Sequence, residues 1–194
     1  MCRGEACHYG RSLDVETLTD PAPARARQTG GVPDSVDALL AAWRRERPDV
    51  DSAPLEVFSR VSRLALHLGR SRALAFREVD LEEWGFDVLA ALRRSGPPYQ
   101  LSPGSLQAQT LVSSATTTHR LDRLEALGLI ARARSPADGR GVQVSLTPEG
   151  RRRVDRALEL LAAAEAALLA PLGVHDRSTL ADLLRRLLAA AEDG

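Results

Sequence analysis

Residues 116–158 read TTTHRLDRLEALGLIARARSPADGRGVQVSLTPEGRRRVDRAL, and the spacing of apolar residues changes repeatedly along this stretch. Thr117, Leu121, Leu124 and Leu127 recur at helical spacing, which predicts a helix capped by Ser114 and stopped at Gly128. Leu129–Arg134 then alternates as a strand does. Residues 135–141, SPADGRG, carry turn chemistry, and Val142–Leu146 alternates again. A β-hairpin with a basic tip at Arg140 therefore follows the helix directly, and Pro148 opens another helix.

Upstream, Ser102 followed by Pro103 is a helix start, giving a short helix to about Gln109 and a tight turn over Thr110–Ser113. Two short helices, a turn and a basic hairpin make a winged helix-turn-helix, a fold in which the second helix enters a DNA major groove. Opposite its inward stripe that helix shows Ser113, Thr116, His119, Arg120 and Arg123, and the capping Ser114 and the stripe's Thr117 are counted with them as candidate contacts. Hydroxyls and guanidiniums suit phosphates and base edges. With Arg134 and Arg140 of the hairpin they are the candidate DNA contacts, Arg140 as a minor-groove residue and Asp138 holding its guanidinium or the turn in shape.

Further out, residues 1–33 hold Pro21, Pro23, Gly30, Gly31 and Pro33 with no apolar period, and read as a disordered extension. A short helix is expected over Ser35–Arg47, with Val36, Leu39, Leu40 and Trp43 on one side and Pro48 ending it. A long helix should begin after Asp51 or Ser52, with Leu55, Phe58, Val61, Leu64 and Leu68 as its apolar face. A third runs from near Leu81 to Arg94, where SGPP stops it. Two terminal helices are expected at Pro148–Ala170 and Ser178–Glu192, the first striped by Val154, Leu158, Leu161, Ala164 and Leu168. Such stripes on a small domain point to an interface between two copies, an intramolecular bundle being the other outlet. The expected fold class is mainly α (α+β): a winged helix-turn-helix with long N- and C-terminal dimerisation helices. Its parts are an extra helix over 34–50, a domain over 51–194 with a DNA-binding lobe near 80–147, and dimerisation helices at 51–78 and 148–192.

The chain has 194 residues and no net charge, and all 26 of its basic residues are Arg. Between Leu101 and Arg153 eight Arg face four acids, a local surplus of +4 that could serve as an electrostatic footprint for DNA. The only cysteines are Cys2 and Cys7, so a disulfide framework is excluded and a reducing cytoplasm fits. They and His8 read as an incidental tail, with no metal site expected. No signal peptide is expected at the start, and the most apolar run, Leu158–Val174, is interrupted by Glu159 and Glu165, against a membrane span.

The quoted stretch resembles the MarR family of regulators: the helix ending in L-x-x-L-G-L-I, the D-G-R-G wing and the L-T-P-E-G lead into a long helix. The resemblance extends from about Asp51 to the C-terminus. It implies a homodimer on double-stranded DNA, reading a pseudo-palindrome through recognition helices about 34 Å apart, and repression of a neighbouring gene. FDVLAALRRSGPPYQLSPGSL, residues 86–106, together with a Trp-bearing helix ahead of the core, is similar to the urate-responsive PecS/HucR subgroup. That likeness implies a urate site at Trp43, Asp87, Arg120 and Arg132. Asp87 falls in the stripe Trp84, Asp87, Val88, Ala91 and Leu92, where an acid is costly unless an Arg pairs with it. A structural Asp–Arg bridge would satisfy the same cost.

Other readings have less behind them. The histidines at 8, 67, 119 and 175 are dispersed, and no nucleophile elbow, phosphate loop or dinucleotide fingerprint is present, so neither an enzyme nor a cofactor is expected. A phenolic or other aromatic anion could replace urate. Thiol sensing would have to use Cys2 or Cys7, outside the expected core, and an adaptor without DNA binding would leave the Arg-bearing helix face unexplained.

Overall fold

The computed structural model describes residues 32–110, 113–134 and 141–193; Ser135–Arg140, with the expected wing residues Asp138 and Arg140, and the N-terminal residues 1–31 lie outside them. Helix α1 (Ser35–Glu46) begins in a capping box: the Asp34 carboxylate accepts from the Val36 and Asp37 amides, and the Asp37 carboxylate accepts from the Asp34 amide. Its Val36 and Leu40 are buried, whereas Trp43 is 49% exposed. Helix α2 (Ala53–Arg77) follows, with Pro54 in its first turn. Only Ala75 and Phe76 at its far end are buried; the expected face of Leu55, Phe58, Val61 and Leu64 is open on the protomer.

Helix α3 (Glu83–Arg94) is the central core element, contributing Val88, Leu89, Ala91 and Leu92, each at most 2% exposed. Strand β1 (Gln100–Leu101) leads into α4 (Pro103–Thr110) and α5 (Ser114–Ala126). A Schellman motif ends α5. Gly128 has φ 69°, its amide donates to the Glu125 carbonyl, and the Leu129 amide reaches back to the Leu124 carbonyl. Strands β2 (Ile130–Arg134) and β3 (Val142–Leu146) pair antiparallel, Ile130 opposite Leu146 and Arg134 opposite Val142. The two-residue β1 completes a sheet of order β1-β3-β2, an element too short to show a sequence period.

Thr147 caps α6 (Pro148–Leu168), accepting from the Gly150 amide and donating its hydroxyl to the Gly128 carbonyl. Val154, Ala157 and Leu161 of α6 join the core, with Arg72–Glu165 tying it to α2 at 2.8 Å and Arg93–Asp155 to α3 at 2.7 Å. Leu158, expected in this stripe, is 53% exposed. Helix α7 (Val174–Glu192) starts four residues earlier than expected and buries no residue. The two terminal helices thus part company: α6 packs inside the protomer and α7 does not. Among the described residues no helix is long and apolar enough to cross a membrane.

Candidate nucleic-acid interface and anion site

Helix α5 is held from both ends. Ser113 rather than Ser114 is its N-cap, with the Ser113 hydroxyl accepting from the Thr116 amide and lying 2.9 Å from the Thr116 hydroxyl. Leu121 and Leu124 anchor it to the core. Thr117 is only 4% exposed and its hydroxyl donates to the Ser113 carbonyl, so it belongs to the inner stripe and cannot touch DNA in this arrangement. Leu127, expected in that stripe, is the C-cap of α5, beyond the helix proper, and is 51% exposed. Thr116 and His119 face solvent.

The basic residues are more committed than their spacing suggested. Arg123 pairs with Glu82, just before α3, at 2.5 Å, and Arg120 and Arg123 stand 5.7 and 5.5 Å from the centroid of the Trp84 ring. Both cations of α5 therefore lean onto α3. Arg132 grips α5 instead: its guanidinium meets Glu125 at 2.6 Å and Asp122 at 2.7 Å, and its amide donates to Glu125. The Arg132 guanidinium and amide hold the Glu125 carboxyl below its usual range. Of α6, Arg152 and Arg153 pair with Glu149, and Arg151 lies over Tyr99. Of these acids only Glu82 lies outside the segment, so most of the local surplus of +4 remains, while several of its guanidiniums are held by neighbouring acids and rings. Arg134 is exposed and makes no ion pair among the described residues.

The four residues implied for an anion site do not meet in one protomer. Trp43 lines a separate cavity of about 230 Å³ with Arg47, Val50, Ser52 and Leu55. Asp87 is exposed at the edge of its stripe, not sunk in it, and has no ion pair within 4 Å among the described residues, so the alternative reading of a structural Asp–Arg bridge is not met there. Partial desolvation raises its pKa, Glu83 adds to the rise, and Arg120, Arg72 and Arg94 oppose it. Asp87 and Arg120 thus act on each other across the α3–α5 contact, while Arg132 is occupied elsewhere. Trp84, read from sequence only as part of a stripe, is the aromatic residue found beside them.

A short helix, a capped second helix with an open polar face and a paired hairpin define a winged helix-turn-helix protein. Residues 79–141 match the family described as MarR family. The chain is 36% identical over 152 residues to the HTH-type transcriptional regulator PecS of Dickeya dadantii, spanning 78% of this chain and 92% of that protein. The chain belongs to the MarR family, and is a MarR-type DNA-binding transcriptional regulator similar to PecS, in a family of regulators rather than enzymes. Among solved structures it resembles Bordetella bronchiseptica BpsR, at 28% identity and TM-score 0.52 over 66% of this chain and 98% of that one. It has the same fold as a mutant MarR from E. coli complexed with operator DNA, at 23% identity and TM-score 0.59 over 75% and 97% of the two chains.

Proposed function

We propose that two copies of this chain bind a pseudo-palindromic operator, and that a small planar anion, urate first among those to test, weakens the binding. In this reading residues 80–147 are the DNA-binding lobe, and 51–78 with 148–192 supply the interface between copies. Thr116, His119 and the N-terminal turn of α5 meet the major groove, while Arg134 and Arg140 carry the wing's charge. The observation that carries the ligand response is the Asp87–Arg120 pair: a carboxyl with no ion pair among the described residues, beside a cation of the recognition helix. An anion that recruits Arg120 draws on the helix that reads DNA, so ligand and operator favour different positions of α5.

The PecS/HucR resemblance favours urate. A second reading, an aromatic carboxylate, is favoured by BpsR, whose structure is described as concerning regulation of DNA binding by 6-hydroxynicotinic acid. Purified protein is titrated onto DNA from its own upstream region across a salt series, with urate, with 6-hydroxynicotinate and with neither. Specific, salt-sensitive binding weakened about 10–100-fold by urate is expected. Asp87→Asn should abolish that response while leaving DNA binding in place. A response to 6-hydroxynicotinate alone selects the second reading, and indifference to both anions overturns the ligand response.

A further inference from the structure

Helix α3 begins with a carboxylate that does not cap it. Glu82 stands at the N-cap position, next to amides that lack helical partners, yet its side chain makes no capping hydrogen bond. Its two oxygens serve other partners. Oε1 meets the Arg123 guanidinium of α5 at 2.5 Å, and Oε2 accepts from the indole Nε1 of Trp84 at 2.5 Å. The centroid of the Trp84 ring lies 5.5 Å from the same guanidinium, so Arg123 is held by a charge and a ring together. Arg120, one turn earlier on α5, has the ring at 5.7 Å but no ion pair among the described residues. Leu124, beside Arg123 in sequence, packs next to Gly85 of α3, which keeps α5 close to the start of that helix.

We propose that Glu82 is a positioning residue that withholds Arg123 from DNA, its carboxylate occupying the guanidinium edge that a phosphate would take. This rests on the reading above that α5 enters the major groove. A carboxylate and a phosphate offer a guanidinium the same kind of anionic acceptor, so Arg123 cannot give the same N–H groups to both. DNA therefore gains Arg123 only by breaking its bond to Glu82, and binds less tightly by what that bond contributes. The two side chains are 53% and 52% exposed, so the pair is weak enough to be exchanged when a phosphate arrives. Glu82 also places a negative charge at the rim of a face that phosphates approach. One such pair acts in each copy bound to an operator. The contact keeps operator affinity below what the cations of α5 could otherwise reach.

Glu82→Gln removes the charge but keeps an oxygen for the Trp84 indole, so it tests the ion pair and spares the local packing. Binding to DNA from the protein's own upstream region is measured for the wild type, Glu82→Gln, Arg123→Gln and the double variant. Low salt is used, where an exposed pair is least screened. The chain contains two tryptophans, so emission in a Trp43→Phe background reports Trp84 alone and, with circular dichroism, checks that α3 and α5 stay packed. Binding about threefold to tenfold tighter is expected in Glu82→Gln, with the gain lost when Arg123 is already Gln. Glu83→Gln removes the same charge from a neighbouring exposed acid that has no ion pair among the described residues, and should change affinity less than about twofold. A Glu82 that merely supports the fold would weaken binding when replaced, so unchanged or weaker binding in Glu82→Gln overturns the proposal. An equal gain without Arg123, or from Glu83→Gln, assigns the effect to general repulsion of phosphates; it overturns the proposal and leaves the operator reading standing. No operator binding by the wild type even at low salt overturns that reading and this assignment with it.

Discussion

A Cβ on Gly150 would stand 1.9 Å from the Leu129 carbonyl oxygen, a backbone atom fixed by the Schellman turn and by its bond from the Thr147 amide. No rotamer change relieves such a clash; α6 or the start of β2 has to move. Gly150→Ala should therefore cost about 3 kcal/mol or more. Gly128 makes the opposite case, since nothing lies within 4 Å of its Cβ position and only its φ of 69° resists a side chain. Gly128→Ala should cost about 1–2 kcal/mol. Urea denaturation of both variants checks the order, and a Gly150→Ala protein as stable as Gly128→Ala would remove the close approach from the account. At this scale the sequence was readable where chemistry is local: the SPG start, Gly128, and the Thr147-Pro148 entry into α6. It was not readable where a side chain's partner comes from another helix. A helical wheel puts Arg120 and Arg123 outside, but only the packing of α3 against α5 reveals that Trp84 and Glu82 are there to receive them.

At the scale of elements, α1 rests on α2 through few buried residues and one concentrated electrostatic contact. Arg60 of α2 bonds Asp34 at 2.8 Å and Asp37 at 2.7 Å, so one guanidinium holds both acids of the capping box. The Arg60 guanidinium, with the Val36 and Asp37 amides, holds the Asp34 carboxyl at about 2, below its usual 3.8. A depressed carboxyl stabilises the folded state fully above its ordinary value and loses that contribution as pH falls through the folded value. Docking of α1 should therefore weaken as pH drops from about 4 to about 2. Trp43 reports it: in Trp84→Phe its emission should shift over that window, and adding Asp34→Asn should flatten the shift. Identical acid titrations with and without Asp34→Asn would place the docking elsewhere. The existence of α1 was evident from Ser35–Arg47, whereas its anchor was not, because Asp34 and Arg60 are 26 residues apart. Arg132 shows the same limit, since its acids Asp122 and Glu125 are visible on α5 but the return of β2 alongside them is a tertiary fact.

Over the whole molecule the apolar surface left open is too large to be incidental. Leu183, Leu184, Leu187 and Leu188 of α7 are 44–59% exposed, and α2 presents Leu55, Phe58, Val61 and Leu64 at 38–56%. Between them lies an apolar cavity of about 450 Å³ lined by Leu64, Leu68, Leu168, Leu169, Leu172 and Leu180. Within the protomer α7 is tied down mainly at its start, where Arg177 donates to the Leu169 and Leu172 carbonyls. Sequence periodicity could mark α6 and α7 alike as striped, but it could not tell that α3 would fill the groove beside α6 and leave α7 bare. In the proposed operator complex a second copy, seated on α2 and α7, supplies the second recognition helix that a pseudo-palindromic operator requires. Each leucine buried on association is worth about 1.5–3 kcal/mol, so two charges per protomer should be decisive. Leu184→Glu combined with Leu188→Glu should weaken self-association at least about 100-fold, giving a monomer at micromolar concentration in sedimentation velocity. Its winged lobe, whose core at Leu89, Leu121 and Val144 is remote in sequence from these changes, should keep its near-native thermal transition. That monomer should hold one half-site only weakly and lose discrimination for the paired site. A doubly substituted chain that still sediments as a dimer would assign the interface to other faces and leave the open side of α7 unexplained.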